Sequence, residues 1–369
     1  MIYDKNNCIS DIAISPDGNH LLQATIDGII RILDINSKQY IHNQTNNAKF
    51  GVRYIAITKD NKYCLAAMDD YSIKMWDLES GKIVREYNGH TKKVNSIQCS
   101  SNSNEFITSS DDSIIRTWDI ETGECTHKLI GHTKAVNRVV YSTDGLQCIS
   151  TSLDKTMRVW NIRWEEEIKC ETASKPYTAV DVSNNGEFYV SSALDNKLRA
   201  WYTKNNWRLF TKRAYCQGAF DVIISPCSNQ IASLHGDEVY IWKLNADDVW
   251  LTLNFNKERI RSILYTVDGK SIIGGLENGG ICIWNISEHK SLELSDKHRK
   301  AVTCIAYVSG NIYATASEDG TIKIWDLANN VCKNTLNSPV FNLSGCDFEG
   351  AYFENEEIKK HIIFNGGIV

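Results

Sequence analysis

Eight residues recur along this chain at a nearly constant interval: Leu33, Trp76, Trp118, Trp160, Trp201, Trp242, Trp284 and Trp325, spaced by 43, 42, 42, 41, 41, 42 and 41 positions. Each period holds four short runs rich in β-branched and aromatic residues, fenced by Asn, Asp, Ser or Gly. That is the pattern of strands joined by tight turns. A unit of ~40–45 residues with four strands cannot bury its apolar face alone, so successive units must stack, and small sheets set around an axis satisfy that need. The spacing predicts an all-β, eight-bladed β-propeller of four-stranded antiparallel blades over residues 1–336.

The unit is plainest from Gly89 to Ile130. Gly89-His90 precedes the run Val94 to Cys99; Glu105 to Ser110 follows a polar turn; Asp111-Asp112 leads into Ser113 to Asp119; and Glu124 to Ile130 completes the four. The third run ends in Trp118-Asp119, as others end in Trp76-Asp77 and Trp325-Asp326, while elsewhere the pair is degraded to Leu33-Asp34, Trp160-Asn161, Trp201-Tyr202, Trp242-Lys243 and Trp284-Asn285. With its period, this motif resembles the WD-repeat family over roughly nine-tenths of the chain.

The resemblance implies a buried hydrogen-bond relay in each complete repeat, from a His before the first strand through a Ser or Thr ending the second to the turn Asp and the Trp of the third. Three repeats match: His90, Ser110, Asp112 and Trp118; His132, Ser152, Asp154 and Trp160; and His298, Ser317, Asp319 and Trp325. The same trio could be read as a hydrolase triad, but it recurs three times at one period and no oxyanion hole accompanies it, so no catalytic residue is assigned. Repeats five and six depart from the pattern, with Ala193 at the hydroxyl position and His235-Gly236 where the turn Asp belongs.

Beyond Leu336 the period stops. Phe341 to Asn355 reads as three units of five that resemble the pentapeptide-repeat family, and Glu356 to Phe364, capped by Asn355, forms a short helical pattern. Three five-residue units cannot close a coil, so residues 337–369 are expected to dock on the propeller as a pentapeptide-like tail plus short helix. A last repeat with its own outer strand would close the ring without strand exchange.

The chain has 42% hydrophobic and 23% charged residues, a formal charge of −5, and no apolar run of 18 residues. Nucleic-acid binding, a membrane span and a secretory leader are not expected. The 12 cysteines are scattered without a Cys-x-x-Cys pair, which reads as reduced thiols in a cytoplasmic protein with no metal site and no cofactor. No phosphate-binding loop or metalloprotease motif is present, so neither enzymatic activity nor a small-molecule substrate is expected.

Function must then lie where the repeats differ. On the face that WD-repeat proteins usually present to partners, the residue before the turn Asp is acidic at Asp69, Asp111, Glu277 and Glu318 and apolar at Leu153 and Leu194. Asp69, Asp111, Leu153 and Leu194 form the expected partner-binding rim, taking a partner with basic residues. An alternative lateral site consists of Trp164, Trp207 and Trp250, which follow the third strands of repeats four to six. The expected function is non-enzymatic binding of a protein or peptide. WD repeats joined to a pentapeptide-like tail resemble bacterial proteins in which the propeller is the sensing or docking end of a larger assembly. A constitutive scaffold subunit of a multi-protein complex is the alternative.

Overall fold

A computed structural model describes residues 8–37, 39–45, 50–102, 104–214, 218–244, 249–255 and 257–337. Their 32 strands form eight four-stranded sheets, each built from four consecutive strands in sequence order and each antiparallel. The sheets begin at Ile9, Val52, Val94, Val136, Tyr177, Asp221, Ile260 and Val302. No helix occurs among the described residues. The first strand of every sheet packs against the first strands of its two neighbours, and that of sheet one meets that of sheet eight, so the first strands line the axis of a closed ring.

Burial grades outward along each sheet. In sheet three the second strand, Glu105–Ser110, is buried from Phe106 onward because sheet neighbours flank it and other sheets cover both faces, whereas the fourth, Cys125–Ile130, is largely open. The repeat Trp residues close the gaps between sheets. Trp118 pairs across the sheet with Phe106, is 1% exposed, and packs with Tyr87 and Leu65 of sheet two. The same position is filled by Leu33 in sheet one, also buried.

Sheet eight takes its fourth strand, Val331–Asn337, from its own repeat, so the ring closes without strand exchange. Side chains make the seam: Cys8 Sγ donates to the Glu318 carbonyl at 3.1 Å, and the Cys304 thiol lies 3.6 Å from Asp11 Oδ1. The pentapeptide-like tail and its helix fall at 338–369, outside the described residues.

Candidate partner-binding rim

The loops that enter the first strands and the turns between second and third strands lie on one face, which the relays tie together. His90 Nδ1 donates to Asp112 Oδ2 at 2.8 Å, His90 Nε2 accepts from Thr108 Oγ1 at 2.8 Å, and Trp118 Nε1 donates to the same hydroxyl at 2.9 Å. His132, Asp154, Ser150 and Trp160 repeat this geometry at 2.8 Å throughout. In sheet eight Thr315 joins His298 to Trp325, while the Thr321 hydroxyl stands between His298 Nδ1 and Asp319, leaving the imidazole 3.6 Å from that carboxylate.

The linking hydroxyl is therefore two residues earlier than the sequence pattern suggested. Ser110, Ser152 and Ser317 instead donate to the carbonyls of Lys92, Lys134 and Lys300 and accept from the turn amides of Asp112, Asp154 and Asp319. Register explains the shift: Trp118 sits opposite Phe106, and its indole N–H reaches the next residue on the same face, Thr108. Repeat six also differs from expectation, since His235 enters from the end of the second strand and completes a Trp242–Ser233–His235 chain at 2.9 Å per bond. In repeat five Ser191 stands at the hydroxyl position, but Ala173 stands where the His belongs, and among the described residues the buried Ser191 Oγ and Trp201 Nε1 have no partner.

All four rim residues occupy equivalent turns of sheets two to five. Leu153 is 43% exposed, and Leu194 is half-buried with its backbone held against Gly218. Asp111 accepts from Asn95 Nδ2 at 2.7 Å. The acidic arc is weaker than the pattern of turns implied. Arg53 Nε lies 2.5 Å from Asp69, and Arg261 lies 3.2 Å from both Glu277 and Glu318. Arg53 and Arg261 each hold the second position of a first strand, where Ser10, Asn95, Asn137 and Thr178 donate to carbonyls of the following sheet. Comparing that position across repeats would have revealed both arginines.

The comparisons with known proteins agree with this geometry. The "WD domain, G-beta repeat" family matches residues 2–34, 39–77, 81–119 and 123–161, and the "Anaphase-promoting complex subunit 4 WD40 domain" family matches residues 229–309. The chain is 27% identical over 167 residues to Protein tipD of Dictyostelium discoideum, covering 45% of this chain and 25% of tipD. It is 33% identical over 102 residues to the WD repeat-containing protein WDS homolog of Arabidopsis thaliana, covering 26% and 19%. It is 23% identical over 216 residues to eukaryotic translation initiation factor 3 subunit I of Anopheles gambiae, covering 43% and 66%. The matches thus span less than two thirds of each relative. The crystal structure of the computationally designed Ika8 protein shares the fold, with a TM-score of 0.76 at 21% identity over 87% of this chain and 97% of that one. This chain belongs to the WD-repeat family. Propellers of this family are generally interaction modules without catalytic groups of their own.

The relay chemistry suits that role. The side chains of His90, His132 and His298 are fully buried, which seals their hydroxyl partners from any substrate. Burial pushes the Asp112 carboxyl up, but the His90 bond and the Ile114 and Thr91 amides outweigh it and hold the group at about 2. Among the described residues no cluster of three His, Cys, Asp or Glu could hold a metal ion.

Near the axis of the WD-repeat ring two carboxylates tie first strands together. Asp11 accepts from the Ile55 amide at 3.0 Å, and Asp181 from the Ile224 amide at 2.8 Å. Burial exceeds the stabilising bonds, and for Asp181 also the field of Arg138, so both groups are pushed up to about 6. Between 3.8 and that value the folded chain holds more protons than the unfolded one, so their cost grows as pH rises through this window and is complete above it. His90 works oppositely: burial lowers its pKa, so its contribution to stability is lost as pH falls below 6.5. A comparison of melts isolates the carboxylates. Relative to the native chain, Asp11→Asn with Asp181→Asn should gain several degrees in Tm between about pH 5 and about pH 7.5. A difference independent of pH would contradict this assignment.

Of the lateral tryptophans, Trp164 and Trp207 are 69% and 73% exposed. Trp250 is not equivalent to them. It packs on the cluster between sheets six and seven, with the Lys243 ammonium 3.7 Å from its ring centroid and the His289 ring edge-on.

Proposed function

We propose that this WD-repeat propeller is a non-enzymatic docking module of a larger cytoplasmic assembly and binds a protein or peptide on the rim of sheets three to five. The observation that carries the reading is Leu153, an open apolar side chain on a turn whose backbone is fixed by the Leu153 amide bond to Ala135 and by the buried His132–Asp154 relay beneath it. A rigid turn presents an apolar anchor at little entropic cost, and a small apolar centre edged by charge is the usual anatomy of a binding patch. Leu194 and Asp111 flank it on the neighbouring sheets. The bacterial setting implied by the tail's resemblance belongs to this proposal, as does the absence of nucleic-acid, membrane and small-molecule ligands.

Leu153→Glu with Leu194→Glu should abolish capture of the partner and leave the melt within a few degrees of native, because Leu153 is open, Leu194 is only half-buried, and turn positions outside the core carry little stability. Trp164→Ala with Trp207→Ala should leave capture intact. Loss of capture in the tryptophan pair alone would move the site to the outer flank.

A further inference from the structure

The same rim carries a set of free positive charges. Lys92 and Lys93 lead into sheet three, Lys134 into sheet four and Lys175 into sheet five, while Lys155 follows the Asp154 turn and Lys197 opens the third strand of sheet five. All six are exposed, and none has an ion-pair partner among the described residues. The carboxylates of this arc are turned inward. Asp112 and Asp154 are 3% and 4% exposed at the side chain, locked to His90 and His132, and Asp195 is 3% exposed and paired with Arg199. Asp111 is half-buried and held by Asn95. The six lysines are exposed on the sheet that carries Leu153 and on the two sheets beside it.

We infer that the rim of sheets three to five recognises an acidic peptide segment bearing an apolar anchor residue. The inference rests on the rim reading above and gives the partner its charge, opposite in sign to what the turn acids suggested. Asp69 lies outside this arc and is neutralised by Arg53, so it does not repel such a segment. Unpaired lysines on a fixed backbone raise the association rate of an anionic chain, and a leucine between them supplies the contact that holds it. The net charge of −5 repels a long polyanion while leaving a local positive field for a short acidic stretch.

Fluorescence anisotropy with three labelled probes tests this: a short peptide rich in Asp and Glu around one Leu, the same peptide with Lys in place of the acids, and a single-stranded oligonucleotide. The native chain should bind the acidic peptide about tenfold or more tighter than the basic one, and more weakly as salt rises. Lys92→Glu with Lys134→Glu and Lys175→Glu should cost about tenfold or more in affinity, as should the Leu153 and Leu194 pair, whereas Lys82→Glu with Lys204→Glu on the opposite face should change nothing. Preference for the basic peptide, lost in the leucine pair, would overturn the inferred charge and leave the rim standing. Tighter binding of the oligonucleotide than of the acidic peptide would overturn the partner class. Failure of the native chain to bind the acidic peptide, or equal binding by the lysine reversal, would overturn the inference outright.

Discussion

Replacing Thr108 by Val should destabilise the propeller by about 2–4 kcal/mol, because a side chain of the same shape without its hydroxyl leaves two buried groups, His90 Nε2 and Trp118 Nε1, without a partner. Neither can turn to water. His90 is fixed through Nδ1 to Asp112, and Trp118 is 1% exposed between sheets two and three. Ser110→Ala should cost only about 0.5–1.5 kcal/mol, the value of an ordinary hydrogen bond, since it removes the bond to the Lys92 carbonyl and the acceptor for the Asp112 amide at the edge of the turn. Urea midpoints read at unchanged m decide the matter. Equal effects, or a larger one at Ser110, would return the relay to the position that the sequence pattern gave it.

The second large effect is expected at Gly279. Its φ is +84°, and a β-carbon there would overlap the His298 carbonyl and stand 2.7 Å from the Lys300 oxygen. Both obstacles are backbone, in the loop that enters sheet eight, and that loop also carries the relay histidine. Gly279→Ala therefore forces a left-handed backbone on an alanine and pushes two sheets apart at once. We expect a cost of about 3–5 kcal/mol and poor recovery of soluble protein. Gly310 is the internal control. It too has positive φ, +53°, but no heavy atom lies within 4 Å of its β-position, so Gly310→Asn should cost under about 1 kcal/mol. Similar stability of the two variants by chemical denaturation would refute the steric argument.

The ring and its sheet boundaries were legible because periodicity depends on residue class alone, and a repeated Trp can occupy only one kind of place. The relay was legible in outline but displaced. Thr108 and Ser110 share a strand face and a chemistry, so only the pairing of Trp118 with Phe106 tells which hydroxyl the indole reaches. His235 could not be read at all, because it restores the chain in sheet six from a position that no other repeat uses. The rim acids were found by comparing one turn position around the ring. Their neutralisation was hidden because the partners stand 16 residues away for Asp69 and 57 for Glu318. The outward lysines of sheets three to five belong to different loop positions and form no sequence motif; only folding brings them to one arc.

Hydrogen exchange on the intact chain, with and without the partner it captures, tests the rim most directly. Bound partner should slow exchange at amides of 89–93, 131–135, 153–155, 173–175 and 194–197, the loops and turns of sheets three to five, while the turns carrying Trp164 and Trp207 exchange as before. Protection at those tryptophan turns, with the rim unchanged, would contradict the account.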